Sequence, residues 1–182
     1  MTKSSFYKKS ELKKLGLKRC GNNVLISRRC SIYGAQNIVI GNNVRIDDYC
    51  ILSGNITIGN YVHISAYSAL YGKKGIYISD FCGVSPRSTL FSAVDDFSGK
   101  FMISPMVPDK FTNVTGGAII LNKYCQVGAN SIVMPNVVFE EGAVCGAFSF
   151  VKKTLKRWNI YAGIPAKKIK KRSKKLLDFN IG

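Results

Sequence analysis

Aliphatic or small apolar side chains return every six positions along most of this chain, with polar residues and glycines between them. One series runs Ile40, Ile46, Leu52, Ile58, Ile64 and Leu70. After a two-residue slip it resumes at Ile78, Val84 and Leu90, and a further series runs Leu121, Val127, Val133, Phe139, Cys145 and Val151. A period of six does not follow a helical face, because 3.6-residue turns rotate every sixth residue off any stripe. It does not describe an ordinary strand either, since a turn is needed at nearly every sixth residue. A triangular coil satisfies both constraints. Each unit gives a short strand and a corner, and three units close a turn of about 18 residues. The apolar residue of each unit points inward onto its equivalents one coil above and below. Val44, Cys50, Ile56, Val62 and Ser68, two places before the stacked aliphatics, suit the tight corners. Gly41, Gly59, Asn42, Asn43 and Asn60 suit the turns. The pattern predicts an all-β parallel β-helix over residues 20–164.

The two ends of such a solenoid need cover, because a terminal coil exposes unpaired backbone. Residues 9–15 predict a short capping helix with Ser10 as its cap and Leu12 and Leu15 facing the first coil, within an N-terminal segment 1–19. Residues 166–178, after Pro165, predict a basic capping helix that shows Ile169, Leu176 and Leu177 on one face, within a C-terminal segment 165–182. The repeat breaks once, over residues 91–120. A break of that length in a compact domain is functional or disordered, and Phe91, Phe97, Phe101 and Phe111 argue for order. This loop is expected to leave the prism and pack on a neighbouring subunit.

Composition narrows the chemistry. The 182 residues suit one domain, and no apolar run approaches the roughly 20 residues that span a bilayer. The lysine-rich start has no apolar stretch behind it, so it does not read as a secretory signal. Six cysteines show no CxxC spacing; they read as buried thiols of a reducing cytoplasm, and no metal site is expected. The net charge of +17 attracts anions of any kind, and much of it lies in residues 3–19 and 152–175. Nothing resembles a helix-turn-helix, a zinc module or an aromatic RNA-binding strand, which argues against nucleic acid. The basic N-terminal residues, from Lys3 to Arg19, are compatible with peripheral association with an anionic membrane.

The hexads, the segment from Val127 to Lys153 and the ending from Ile160 to Lys171 carry a resemblance to a known family. From about Gly21 to Lys170 the chain resembles the hexapeptide-repeat acyltransferases, in particular the maltose/galactoside O-acetyltransferases and surface-polysaccharide acetyltransferases. That resemblance implies a left-handed β-helix and a homotrimer with active sites between subunits. It also implies acetyl-CoA as co-substrate and a sugar or glycan acceptor. One feature departs from it. Where those enzymes carry a catalytic histidine at the start of the loop, this chain has Asp95 and Asp96, and its single histidine is His63.

Acetyl transfer to a hydroxyl needs a base, donors for an oxyanion and a seat for phosphates. His63 is expected to point outward as that base, with Asp95 orienting it. It lies two residues from Ser65, which the resemblance implies as an acceptor contact. Asp95 as the base itself stays open. For an amine acceptor the demand differs, because a neutral amine attacks unaided, and Asp95 and Asp96 would then bind the amino sugar. Arg87, at a corner before the loop, either meets a sugar phosphate or pairs with an acid. The small residues Gly128, Ala129, Gly146 and Ala147 are expected to leave a bare wall for a pantetheine arm. The resemblance implies Lys153 near the co-substrate, with Lys167, Lys170 and Arg172 reaching its phosphates. Trp158 is open between stacking on adenine and packing. Three functions follow: O-acetylation of a sugar as the main reading, N-acetylation of a nucleotide-linked amino sugar as the alternative, and a catalytically degenerate trimeric scaffold from another class.

Overall fold

The computed structural model describes residues 5–179; the outermost parts of both expected capping segments, Lys3 among them, lie outside these. The chain forms a parallel β-solenoid of about seven turns, as the hexads require. On one wall Ile40, Ile58, Ile78, Leu121 and Phe139 stack in register. On a second, Ile26, Ile46, Ile64, Val84, Val127 and Cys145 do so. Leu52, Leu70, Leu90, Val133 and Val151 form the third. Every one of these residues is at most 2% exposed. Burying one such side chain contributes about 1.5–3 kcal/mol, and the columns together make the core.

The corners differ from expectation in an informative way. Asn43 does adopt a left-handed turn (φ 55°), but so do Tyr49, Tyr61, Tyr67, Phe81, Tyr124 and Trp158. A left-handed residue costs about 1–2 kcal/mol unless it is glycine. Here ring stacking offsets that cost: Tyr61 lies 5.0 Å from Phe81 and Phe81 5.2 Å from Tyr124, centroid to centroid. Gly41, by contrast, is glycine because of crowding, since a Cβ there would meet the Gly59 carbonyl oxygen at 2.5 Å. Asn42 and Asn60 act through their side chains, whose oxygens accept the backbone N–H of Asn22 and Asn42 at 2.8 Å each.

At the N-terminus a helix covers Lys9–Leu12 and a 3-10 turn Lys13–Leu15, with Leu12 buried against the first coil. Lys8, not Ser10, is its cap; the Glu11 carboxylate accepts the Lys8 backbone N–H at 2.6 Å. The C-terminal cap is not the expected helix. Lys167–Lys171 is a strand that runs antiparallel to Asn159–Ala162, followed by a 3-10 turn at Lys175–Asp178, and Ile169 is exposed. The physical reason lies in the last coil. Its open edge offers N–H and C=O groups that a strand can pair and a helix cannot, and lysines on the outer edge discourage further pairing.

All the extra length of the solenoid sits at one edge. The step from the third wall to the first is tight between Ser53 and Ile56 within Ile51–Ile58. It lengthens to a 3-10 turn at Ala35–Asn37 and to a bulge at Gly72–Gly75 within the strand Ala69–Ile78. After Thr89–Phe91 it opens into the excursion. At the base of that excursion Ala93–Asp95 and Val114–Gly116 pair as an antiparallel ribbon. No helix among the described residues is long and apolar enough to cross a membrane.

Candidate active site

The second wall presents two outward columns. Arg45, His63, Gly83 and Gln126 are in register. Asp47, Ser65 and Ser85 follow one outward step along, each donating its N–H to the next coil, at 3.0, 2.9 and 2.9 Å. Arg45, His63, Ser65, Gly83 and Gln126 line a cleft of about 440 Å³ together with Tyr61 and Phe81. His63 is half exposed, and its Nε2 lies 2.7 Å from Asp47 Oδ2; Arg45 Nε donates to the other carboxylate oxygen at 2.7 Å. Burial of Asp47 opposes its ionisation, but the hydrogen bonds from Arg45 and His63 outweigh this and hold the carboxyl below the usual range. With Nε2 directed at a carboxylate, a neutral His63 keeps its proton there and shows its free lone pair on Nδ1.

Asp95 is therefore not the partner of His63 within one chain. It lines a separate cavity of about 810 Å³, between the excursion and the edge turns, together with Tyr71, Lys73, Phe91 and Asp109. Asp96 faces the loop instead. Its carboxylate accepts the Ser98 N–H at 2.7 Å and the Asn113 side chain at 2.9 Å, bonds that lower its pKa and close the base of the excursion. Arg87 lies over the Tyr67 ring, 5.7 Å from its centroid.

Ser85 and Gln126 were not anticipated. Gln126 Nε2 donates to Ser85 Oγ at 2.8 Å, and it reaches there across Gly83, where a Cβ would meet Gln126 Oε1 at 2.3 Å. Because the hydroxyl oxygen accepts from Gln126, its own proton is free to be donated outward. The signal for this pair was the 18-residue step of the coil, read outward instead of inward and corrected for the edge turns.

Near the last coils, Lys153 and Lys167 line a cavity of about 390 Å³. Lys170 is exposed on the terminal strand. Arg172 Nη1 donates to the carbonyls of Tyr124 at 2.5 Å and Gly142 at 3.1 Å, and burial lowers its pKa. Trp158 is packed between Tyr124 and Arg172. Gly128 and Gly146 use their N–H groups between coils, on Cys145 and Tyr161. They are small because the coils touch; a Cβ on Gly128 would lie 2.3 Å from the Gly146 carbonyl carbon. Among the described residues the N–H groups of Ala129 and Ala147 have no partner. All six cysteines are free thiols. Burial pushes Cys30 up to about 12 and Cys50 up to about 11, so these two are inert near neutral pH.

A model of the bacterial transferase hexapeptide, six repeats, matches residues 37–72. The dTDP-4-amino-4,6-dideoxy-D-glucose acyltransferase of Escherichia coli is 44% identical over 171 residues, 92% of this chain and 89% of that protein. This chain belongs to the hexapeptide-repeat acyltransferases. A protein of Escherichia coli K12, provisionally described as a lipopolysaccharide biosynthesis O-acetyl transferase, is 27% identical over 80% of this chain and 66% of its own length. Among solved structures, AntD, an N-acyltransferase from Bacillus cereus in complex with dTDP and 3-hydroxybutyryl-CoA, is 51% identical. It superposes with a TM-score of 0.94 over 97% of this chain and 94% of its own. The family assignment makes acyl transfer to a sugar the activity of this chain.

Proposed function

We propose that this acyltransferase N-acylates an amino sugar carried on a nucleoside diphosphate, with acyl-CoA as donor. The observation that carries the reading is a pair of residues. Variants of AntD at a serine, and at an aspartate ten positions further on, have been crystallised with dTDP and coenzyme A. Ser85 and Asp95 are the only serine and aspartate in this chain with that spacing. The relatives thus favour the N-acyl alternative over O-acetylation of a polysaccharide.

The two residues lie apart on one chain, Ser85 on the second wall beside Gln126 and Asp95 in the loop cavity. A homotrimer that sets the wall of one subunit against the excursion of the next would join them, as the family resemblance implies. Asp95 would accept a hydrogen bond from the acceptor amine and hold it for attack. Ser85, oriented by Gln126, would donate to the oxyanion. The amine attacks the thioester carbon, the C–S bond breaks, and the amine's proton leaves with the thiol, so no strong base is required. Acyl-CoA supplies the activated carbonyl. The free N–H groups of Ala129 and Ala147 fit an amide-bearing arm, and Lys153, Lys167 and the exposed Lys170 fit its phosphates.

The His63–Asp47 pair supports a second reading, because a hydroxyl acceptor would need such a base. One experiment separates them. Thiol release from acetyl-CoA is followed with dTDP-4-amino-4,6-dideoxyglucose and with its 4-hydroxyl counterpart, on the native protein and on His63→Ala. The N-acyl reading expects amide product from the native protein and little loss in His63→Ala. Ester product from the hydroxyl sugar, lost about 100-fold in His63→Ala, would establish O-acylation instead.

A further inference from the structure

The loop cavity is lined by residues of both charges. Asp95 and Asp109 contribute carboxylates, and Lys73 is the one basic residue among the described residues that lines it. Lys73 belongs to the Gly72–Gly75 bulge, whose two added residues interrupt the hexads just below the excursion. The bulge is built, not loose. The buried Ser92 hydroxyl accepts the Lys74 N–H at 2.8 Å and donates to the Tyr71 carbonyl at 2.9 Å, which ties the bulge to the coil above. Gly75 has φ 101°, a conformation that other residues rarely adopt. Among the described residues Lys73 makes no ion pair, although it shares the cavity with two acids. Beside it the rings of Tyr71 and Phe91 stack 5.3 Å apart and give a flat wall.

This distribution complements a ligand with hydrogen-bond donors at one end and negative charge further along. An amino sugar on a diphosphate has that form: its amine meets Asp95, and its carrier lies within reach of a lysine. The cavity, about 810 Å³, is within the range of small-molecule sites. We infer that Lys73 binds the diphosphate of the acceptor and so makes the enzyme prefer the carrier-linked sugar to the free one. The inference rests on the reading of the acceptor given above and adds the residue that selects its carrier.

The test uses dTDP itself and two acceptors, dTDP-4-amino-4,6-dideoxyglucose and the free amino sugar, with native protein, Lys73→Ala and Lys73→Arg. Lys73→Ala is expected to weaken dTDP binding in calorimetry about tenfold, the worth of one charge-assisted contact of about 1.4 kcal/mol. It should lower the preference in kcat/KM for linked over free sugar by a similar factor. Lys73→Arg should restore most of both. Unchanged dTDP affinity in Lys73→Ala, with native protein binding dTDP well, would overturn the role of Lys73 alone. Native protein that neither binds dTDP nor acylates the linked sugar would overturn the acceptor reading, and this inference with it.

Discussion

The second wall and the loop edge are built by opposite means. On the wall, Arg45, His63, Gly83 and Gln126 stand in register because the repeat puts them there. At the edge, Asp95 and Lys73 stand where they do because the repeat has been interrupted. The wall inherits the rigidity of a core that is at most 2% exposed at every hexad residue. The edge depends on local devices, the Ser92 bridge and the Asp96 bonds among them. Rigid repeat and tailored interruption are thus divided between the two clefts, and damage to each should show in a different measurement.

The sharpest way to break the comparison is a cavity in the core. Leu52→Ala removes a fully buried side chain from the third column and is expected to cost about 2–5 kcal/mol. Denaturant unfolding would show it, and both clefts should lose function together. Next in size, Asp95→Ala should leave the unfolding midpoint where it is and lower kcat/KM for the amine acceptor about 30-fold, the value of one hydrogen bond to a charged group at about 2 kcal/mol. A fall in stability of the same size as the fall in rate would mean that Asp95 supports the fold instead. The smallest effect concerns acid. Asp47 has a folded pKa below its unfolded one, so its ionisation stabilises the protein above the unfolded pKa, and this is lost as pH falls through the folded value. Asp47→Asn should be less stable than the native protein at pH 7, with the gap closing on acidification below about pH 4. A gap that stays constant between pH 7 and pH 3 would show that the carboxylate charge contributes nothing.

The core was legible because its signal is periodic and strong: each hexad aliphatic falls on a column. The corners were half legible. Asn43 followed turn chemistry, but Tyr61 and Phe81 do not look like turn residues until their rings are seen to stack between coils. The terminal strand was hidden because Lys167–Lys171 is chosen by the edge it pairs with, at Asn159–Ala162, and has no strand signal of its own. In the site, His63 and Asp95 could be picked out as chemistry-bearing residues, yet their neighbours could not. Asp47 comes beside His63 only through the coil register. The Ser85–Gln126 contact crosses the whole excursion, so its two members stand 41 positions apart.

The terminal strand also decides where the molecule stops. A parallel solenoid has no intrinsic length; each coil is a template for the next, and a bare last coil could accept the first coil of another molecule and grow into a fibre. Lys167–Lys171 fills that template in the reverse direction, and its outer edge offers lysines of like charge to any newcomer. Five residues that bury nothing of themselves thereby keep a self-propagating architecture finite.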